Sequence, residues 1–241
     1  MKTAVITGAS RGIGRAAALR FAREGYNVAI NCRKSGDEIA GVAELIRESG
    51  AECITHVGDI SSYDNAAELF ALVNDAWGRA DVLVNNAGIS RVGLFTDLSP
   101  EVWRQVIDTN LTGVYNCCSC AVPMMLKNGF GRIVNVSSIW GVAGGSCEVA
   151  YSASKGGVNA FTKALGKELA RGPVRVNAVA FGPVDTRMNA CLSEEDMALM
   201  KEDIPAGRLA SAEEAGDFIY HVAAAGDYLT GQVIVFDGGM I

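Results

Sequence analysis

Proline, histidine and charge of one sign are all scarce in this sequence. It has 5 prolines and 2 histidines in 241 residues. So little proline excludes a Pro-rich linker or a collagen-like repeat. Lys and Arg total 21 against 27 Asp and Glu, a formal net charge of -6, and like charges never cluster into the basic stripe that a nucleic-acid surface requires. No nucleic acid is expected as a partner. No apolar run approaches the roughly 18 residues of a membrane span, and the opening Met1 to Gly8 is too short for a signal-peptide core. The expectation is a cytoplasmic protein without a membrane partner. Cysteines 32, 53, 117, 118, 120, 147 and 191 are odd in number, and Cys117, Cys118 and Cys120 have no histidine near them. They are expected to be reduced, buried thiols, with no metal site.

What is abundant is glycine. The chain has 28, about 12% against a typical value of about 7%, so many close backbone approaches are expected. Hydrophobic residues make up 49% and charged residues 20%, the balance of a globular chain with a sizeable core. Short β-branched runs at 4–7, 28–31, 53–57, 82–84, 133–136, 175–179 and 232–236 alternate with helical periodicity at 12–24, 37–49, 62–77, 99–126, 151–170 and 212–225, and more loosely at 193–202. Ser99-Pro100 reads as a helix start, and Gly25, Gly50 and Gly129 as stops. Strands alternating with helices imply right-handed parallel crossovers. The predicted architecture is α/β, a doubly wound Rossmann fold with a seven-stranded parallel sheet flanked by helices. No linker or repeat interrupts it, so residues 1–241 read as one domain.

Thr7-Gly8-Ala9-Ser10-Arg11-Gly12-Ile13-Gly14 lies between the first strand and the first helix. Glycines there let a turn close and let backbone N–H groups at a helix start approach a pyrophosphate. At the end of the second strand, where a dinucleotide site usually has a carboxylate for the ribose hydroxyls, the chain reads Asn31-Cys32-Arg33-Lys34. A neutral Cys32 followed by cations, with Arg11 in the glycine turn, suits a phosphorylated ribose and therefore NADP(H).

Three segments together resemble the short-chain dehydrogenase/reductase family over nearly the whole chain: the glycine turn, Asn85-Asn86-Ala87-Gly88, and Tyr151-Ser152-Ala153-Ser154-Lys155. Ser138 and Asn110 stand where that family has its other catalytic residues. Asn135-Val136-Ser137-Ser138, the segment from Ile204 to Leu209 and the ending Phe236-Asp237-Gly238-Gly239-Met240 resemble its 3-oxoacyl-(acyl-carrier-protein) reductases. The resemblance implies a catalytic set of Asn110, Ser138, Tyr151 and Lys155, with Asn110 anchoring a water in a proton relay. It implies a cofactor site of Gly8, Ser10, Arg11, Gly12, Ile13, Gly14, Cys32, Arg33, Asp59, Ile60, Asn86, Ala87 and Gly88, completed by Tyr151, Lys155, Gly182, Val184 and Thr186. Asp59 would meet the adenine amine, Asn86 and Gly88 the adenosine side, and Thr186 the carboxamide. It also implies a carbonyl or acyl thioester substrate, an acyl carrier protein as a candidate partner, and a homotetramer built through helices 99–126 and 151–170, where Gly156, Gly157 and Ala160 permit close approach.

The chemistry follows from the residue types as well. Tyr151 and Lys155, four apart on a helix, share a face. A lysine cation beside the phenol, with an oxidised nicotinamide nearby, favours the phenolate and moves its pKa toward working pH. Ser138, at the carboxyl end of a strand, can hold the substrate oxygen. Phe181 replaces the family's proline in Phe181-Gly182-Pro183 and is expected to narrow the pocket beside the nicotinamide. Glu148 stands where close relatives carry an uncharged amide, as a substrate contact or a solvated loop charge. Trp140 reads equally as pocket lining or core, and His56 and His221 as structural. Lys127, Arg132, Lys163, Lys167 and Arg171 are candidates for a basic face that docks an acidic carrier. The competing readings are an alcohol, sugar or steroid-type dehydrogenase with the same catalytic set, and a non-catalytic NADPH-binding regulator.

Overall fold

The computed structural model describes residues 1–189 and 193–241. In chain order the elements are β1 (Thr3–Ile6), α1 (Gly12–Arg23), β2 (Asn27–Cys32), α2 (Gly36–Glu48), β3 (Cys53–Val57), α3 (Tyr63–Trp77), β4 (Val82–Asn85), α4 (Pro100–Ile107), α5 (Gly113–Asn128), β5 (Gly131–Ser138), α6 (Val149–Leu169), β6 (Val174–Phe181), α7 (Glu194–Asp203), α8 (Ala212–Ala224) and β7 (Val233–Phe236). All seven strands are parallel, in the order β3-β2-β1-β4-β5-β6-β7. The chain runs outward from β1 in one direction and from β4 in the other. Ligands of open α/β sheets bind in the crevice at that reversal, outside the carboxyl ends of the strands.

Strand alternation divides the interior in two. Ile6, Ile30, Val84, Val136 and Phe181 face α1, α2 and α8, where Phe21, Ile39, Ile46 and Ile219 meet them. Val5, Leu83, Ile133 and Val176 face α3, α5 and α6 and pack on Leu69, Phe70, Cys117, Met125 and Val158. Both faces are covered, so the strands are apolar almost throughout. Helix ends follow the side chains: Ser99 accepts from Val102 N at 3.3 Å with Pro100 behind it, and Ser193 with Asp196 and Ser211 with Glu214 form reciprocal caps.

Three elements depart from the sequence expectation. The helix expected over 99–126 is divided by a wide π-helical turn at Asp108–Thr112, among residues that are mediocre helix formers. Strands β5 and β6 run to Ser138 and Phe181, which pair in register. At the end of β5 this is hidden because Ser137 and Ser138 are polar yet buried.

The described cysteines are all free thiols, and Cys191 lies outside the described residues. Burial pushes the Cys118 thiol up to about 12 and Cys53 to about 11, so neither is a nucleophile at neutral pH. His56 is buried against Asn31 at 3.0 Å, and His221 lies exposed on α8 beside Tyr220. Among the described residues no group of three or more His, Cys, Asp or Glu is placed to hold a metal ion, and no helix is long and apolar enough to cross a membrane.

Candidate active site

The glycine turn is held by the loop after β4. Thr7 Oγ1 accepts from the backbone N–H groups of Asn86 and Ala87 at 3.1 Å each, and Asn86 Nδ2 donates to the carbonyls of Thr7 and Gly8 at 3.0 Å. A Cβ on Gly14 would overlap Asn86 Nδ2 and Gly8 O, and one on Gly8, whose φ is +64°, would lie 2.7 Å from Ala87 Cα. Asn86 Nδ2 thus braces the turn. The first helix opens from Arg11 with no side chain capping it, which leaves its N–H groups and positive dipole end for a ligand. A cleft of about 740 Å³ lies over this cradle, bounded by Cys32, Arg33, Asp59, Gly88, Ile89 and Thr186 among others. An uncapped helix start, a cradle without Cβ atoms and flanking arginines fit a dinucleotide's pyrophosphate.

At the far end of this cleft the expected phosphate-binding cations already have partners. Arg33 Nη1 lies 3.9 Å from Asp59 Oδ2. Arg11 Nη1 lies 3.3 Å from Glu38 Oε2, and Arg187 Nη2 lies 2.5 Å from Glu38 Oε1. The Arg187 guanidinium, and then Arg11, hold the Glu38 carboxyl below its ordinary range. Sequence reading missed Glu38 and Arg187: a glutamate in the first turn of α2 reads as a dipole partner, and Arg187 lies in a segment without periodicity. Cys32 is buried, and its thiol is pushed up by that burial.

The expected catalytic groups lie next to one another, with Asn110 and Lys155 beside Gly88. Ser138 ends β5, and its Oγ accepts from Trp140 N at 3.1 Å. Tyr151 and Lys155 rise from the first turns of α6, with Lys155 Nζ 5.7 Å from the phenol ring centre and donating to Val136 O at 2.7 Å. A Cβ on Gly88 would stand 3.3 Å from Asn110 Oδ1 and 3.5 Å from Lys155 Nζ. Asn110 sits in the π turn, the kind of helix defect that often marks a functional position. Its Oδ1 accepts from Ile89 N at 2.8 Å, and its Nδ2 donates to Ile89 O at 2.9 Å and Ser154 Oγ at 3.0 Å. This side chain clamps the cleft wall.

Burial raises the Tyr151 phenol to about 12, the Ser138 hydroxyl acts in the opposite sense, and the Glu148 charge adds to the rise. Burial lowers Lys155 to about 8. The downward phenol shift expected from the lysine is therefore absent in this state, because the ammonium turns to the Val136 carbonyl and desolvation dominates.

Hydrogen bonds brace this end from below. Asn85 Nδ2 donates to Asn135 Oδ1 at 2.9 Å and Asn135 Nδ2 to Thr162 Oγ1 at 2.9 Å, tying β4, β5 and α6 together. Ser137 Oγ donates to Asn159 Oδ1 at 2.6 Å, and Asn159 Nδ2 donates to Gly141 O at 2.9 Å. Sequence reading missed Asn159, which stands one turn after Lys155 on α6.

Several expected neighbours lie elsewhere. Phe181 is buried on the α8 side of the sheet, edge-on to Phe236 with ring centres 5.6 Å apart, so it is core and does not narrow the cleft. Ser10, Ile13, Ile60 and Ala87 line the cleft, whereas Gly182 packs on Asp237 and Val184 bridges to Ala210. The Trp140 ring covers Gly145, outside both cores. Gly157 packs against Leu111 of its own chain, while Ala160 is exposed. Of the expected basic face, Lys163 and Lys167 lie 8 and 12 residues beyond Lys155 on α6, about 12 and 18 Å along it at 1.5 Å per residue, and Arg171 follows the end of that helix. Arg132 is buried and paired with Asp227.

A family model described as short chain dehydrogenase matches residues 2–197. The chain belongs to that family. Short-chain dehydrogenase relatives include the 3-oxoacyl-(acyl-carrier-protein) reductase of Staphylococcus epidermidis, 40% identical over 240 residues that cover 99% of this chain and 98% of the relative. One of the same name from Synechocystis is 40% identical over 242 residues, covering 100% and 97%. A crystal structure of a putative short-chain dehydrogenase/reductase from Burkholderia xenovorans superposes with a TM-score of 0.92 at 33% identity, covering 100% of this chain and 98% of that one.

Proposed function

We propose that the protein, acting as one dinucleotide-binding domain over residues 1–241, reduces a carbonyl to an alcohol with NADP(H), and that a 3-oxoacyl thioester is the substrate class. The observation that carries this reading is the convergence of Ser138, Tyr151 and Lys155: the Ser138 hydroxyl is hydrogen-bonded to the Tyr151 phenol, and the Lys155 ammonium lies 5.7 Å from that ring's centre and beside Gly88 of the cleft wall. When bound there, the nicotinamide supplies a hydride to the carbonyl carbon. Ser138 Oγ donates a hydrogen bond to the carbonyl oxygen and so orients and polarises it. The Tyr151 O–H donates the proton to that oxygen; at a pKa of about 12 the phenol is fully protonated at neutral pH, the form that a reduction consumes. Lys155, released from Val136 O, holds the nicotinamide ribose and stabilises the phenolate left behind.

The preference for NADP(H) is supported by a neutral Cys32 with Arg11 and Arg33 at the cleft's far end. The arginines' carboxylate partners are surface pairs, which contribute little and exchange readily for a phosphate. The names of the 40% identical relatives support the thioester and an acyl carrier protein as partner; a homotetramer and a cytoplasmic location complete the proposal. The test is turnover of an acetoacetyl thioester and a panel of ketones with NADPH and NADH. Reduction of the thioester with NADPH is expected; NADPH binding with no carbonyl reduced would instead support a regulator.

A further inference from the structure

Glu148 is the N-cap residue of α6, yet its side chain makes no capping hydrogen bond. It reaches across the mouth of the site instead, where its Oε1 accepts from Ser90 Oγ. Ser90 follows Ile89, the residue that Asn110 clamps. The loop before Glu148 is tied to the same wall, since Gly93 N donates to Cys147 O at 2.8 Å. Glu148 and Tyr151 are three residues apart and so neighbours on one face of the helix start. The carboxylate is half-buried, its charge is felt at the Tyr151 phenol, and no described lysine, arginine or histidine pairs with it. A carboxylate at this point costs desolvation and opposes the phenolate formed after proton transfer. A cation arriving with the substrate removes both penalties.

We propose that Glu148 is a specificity-determining residue whose carboxylate, braced by Ser90 beside Tyr151, receives a protonated amine of the substrate. Among carbonyl compounds of equal size the site then prefers the one that carries an ammonium group a few bonds from the carbonyl. The inference rests on the carbonyl-reductase reading and narrows its substrate class. Ser90 holds one carboxylate oxygen and leaves the other for the amine.

The test uses two ketones of matched size, 4-aminobutan-2-one and its uncharged isostere pentan-2-one, and the somewhat larger anion 4-oxopentanoate. With NADPH saturating, wild-type kcat/KM is expected to favour the amine over the isostere by about tenfold or more, the scale of one additional charge-assisted contact. Glu148→Gln should bring that ratio close to unity and improve 4-oxopentanoate, Glu148→Asp should keep part of it, and Ser90→Ala should reduce it. Affinity of the matching alcohols, 4-aminobutan-2-ol and pentan-2-ol, for the NADPH-loaded protein, read from the fluorescence of bound NADPH, should show the same ratio, because an alcohol and the reduced cofactor cannot react. A wild type that does not distinguish the amine from the isostere, or a ratio unchanged in Glu148→Gln, overturns the proposal. Failure of the carbonyl-reductase reading looks different: neither the ketones nor an acetoacetyl thioester is then reduced, whatever residue stands at 148.

Discussion

The two ends of the cleft are built on different principles. At the catalytic end the polar groups are buried and cross-braced: Asn110, Ser154 and Lys155 are almost without exposure, and Asn85, Asn135, Thr162, Ser137 and Asn159 lock the elements beneath them. At the far end Arg11, Arg33, Arg187, Glu38 and Asp59 sit at the surface in pairs that solvent screens. A buried donor that loses its partner costs roughly 1–3 kcal/mol, whereas an exposed ion pair contributes about 0–1 kcal/mol. Geometry for chemistry is therefore fixed at one end, and affinity for the phosphate of the proposed NADP(H) is adjustable at the other.

Substitutions separate the two ends, beginning at the catalytic one. Lys155→Met is expected to lower turnover by about 100-fold or more, the scale of a lost participant in proton transfer, and to weaken cofactor binding. The same change should stabilise the cofactor-free protein at pH 7. Lys155 has its folded pKa at about 8, below the ordinary 10.5, so between these values the unfolded chain binds more protons and wild-type stability rises with pH, by up to about 3 kcal/mol. Chemical denaturation of the wild type and Lys155→Met at pH 7 and pH 10 measures this; a pH dependence equal in both proteins would refute it.

Next in size is Phe181→Ala, expected to cost about 3 kcal/mol or more of stability, as for a large buried ring. It should leave the relative rates for small and bulky carbonyls unchanged, since the ring packs on Phe236. A broadened substrate range in a protein of unaltered melting temperature would return Phe181 to the pocket.

Substitutions at the far end should be milder and should act on cofactor choice alone. Because Arg11 and Arg33 must leave Glu38 and Asp59 to meet a phosphate, the preference for NADPH over NADH in kcat/KM should be about tenfold, within the range of exposed charge contacts. It should shrink as salt rises. Cys32→Asp combined with Arg33→Ala should reverse it. Glu38→Gln, the smallest change, should raise the preference by about twofold through loss of one repelling charge. Kinetics with both cofactors at two ionic strengths measure all of these, and a wild type that prefers NADH at low salt contradicts the roles of Arg11 and Arg33.

Most of the fold was legible because period and punctuation agree: β1 to β7 fall on the apolar runs, and the helices on the periodic stretches between them. What was hidden depended on contacts between distant segments. The π turn at Asp108–Thr112 has no periodic signature. Phe181 looked like pocket lining because its place in the motif belongs to proline, while strand parity sends its ring to the α8 face. Glu38 and Arg187 lie 149 residues apart, and nothing local announces that Glu38 bridges Arg187 and Arg11.

The account stands most directly on Tyr151 as the proton donor at the rigid end. The measurement is a paired one on Tyr151→Phe: the Kd for NADPH, and kcat on the best carbonyl substrate. Cofactor affinity within about twofold of wild type, with kcat lower by about 100-fold or more, is the predicted result. Retention of more than half the wild-type turnover would contradict it.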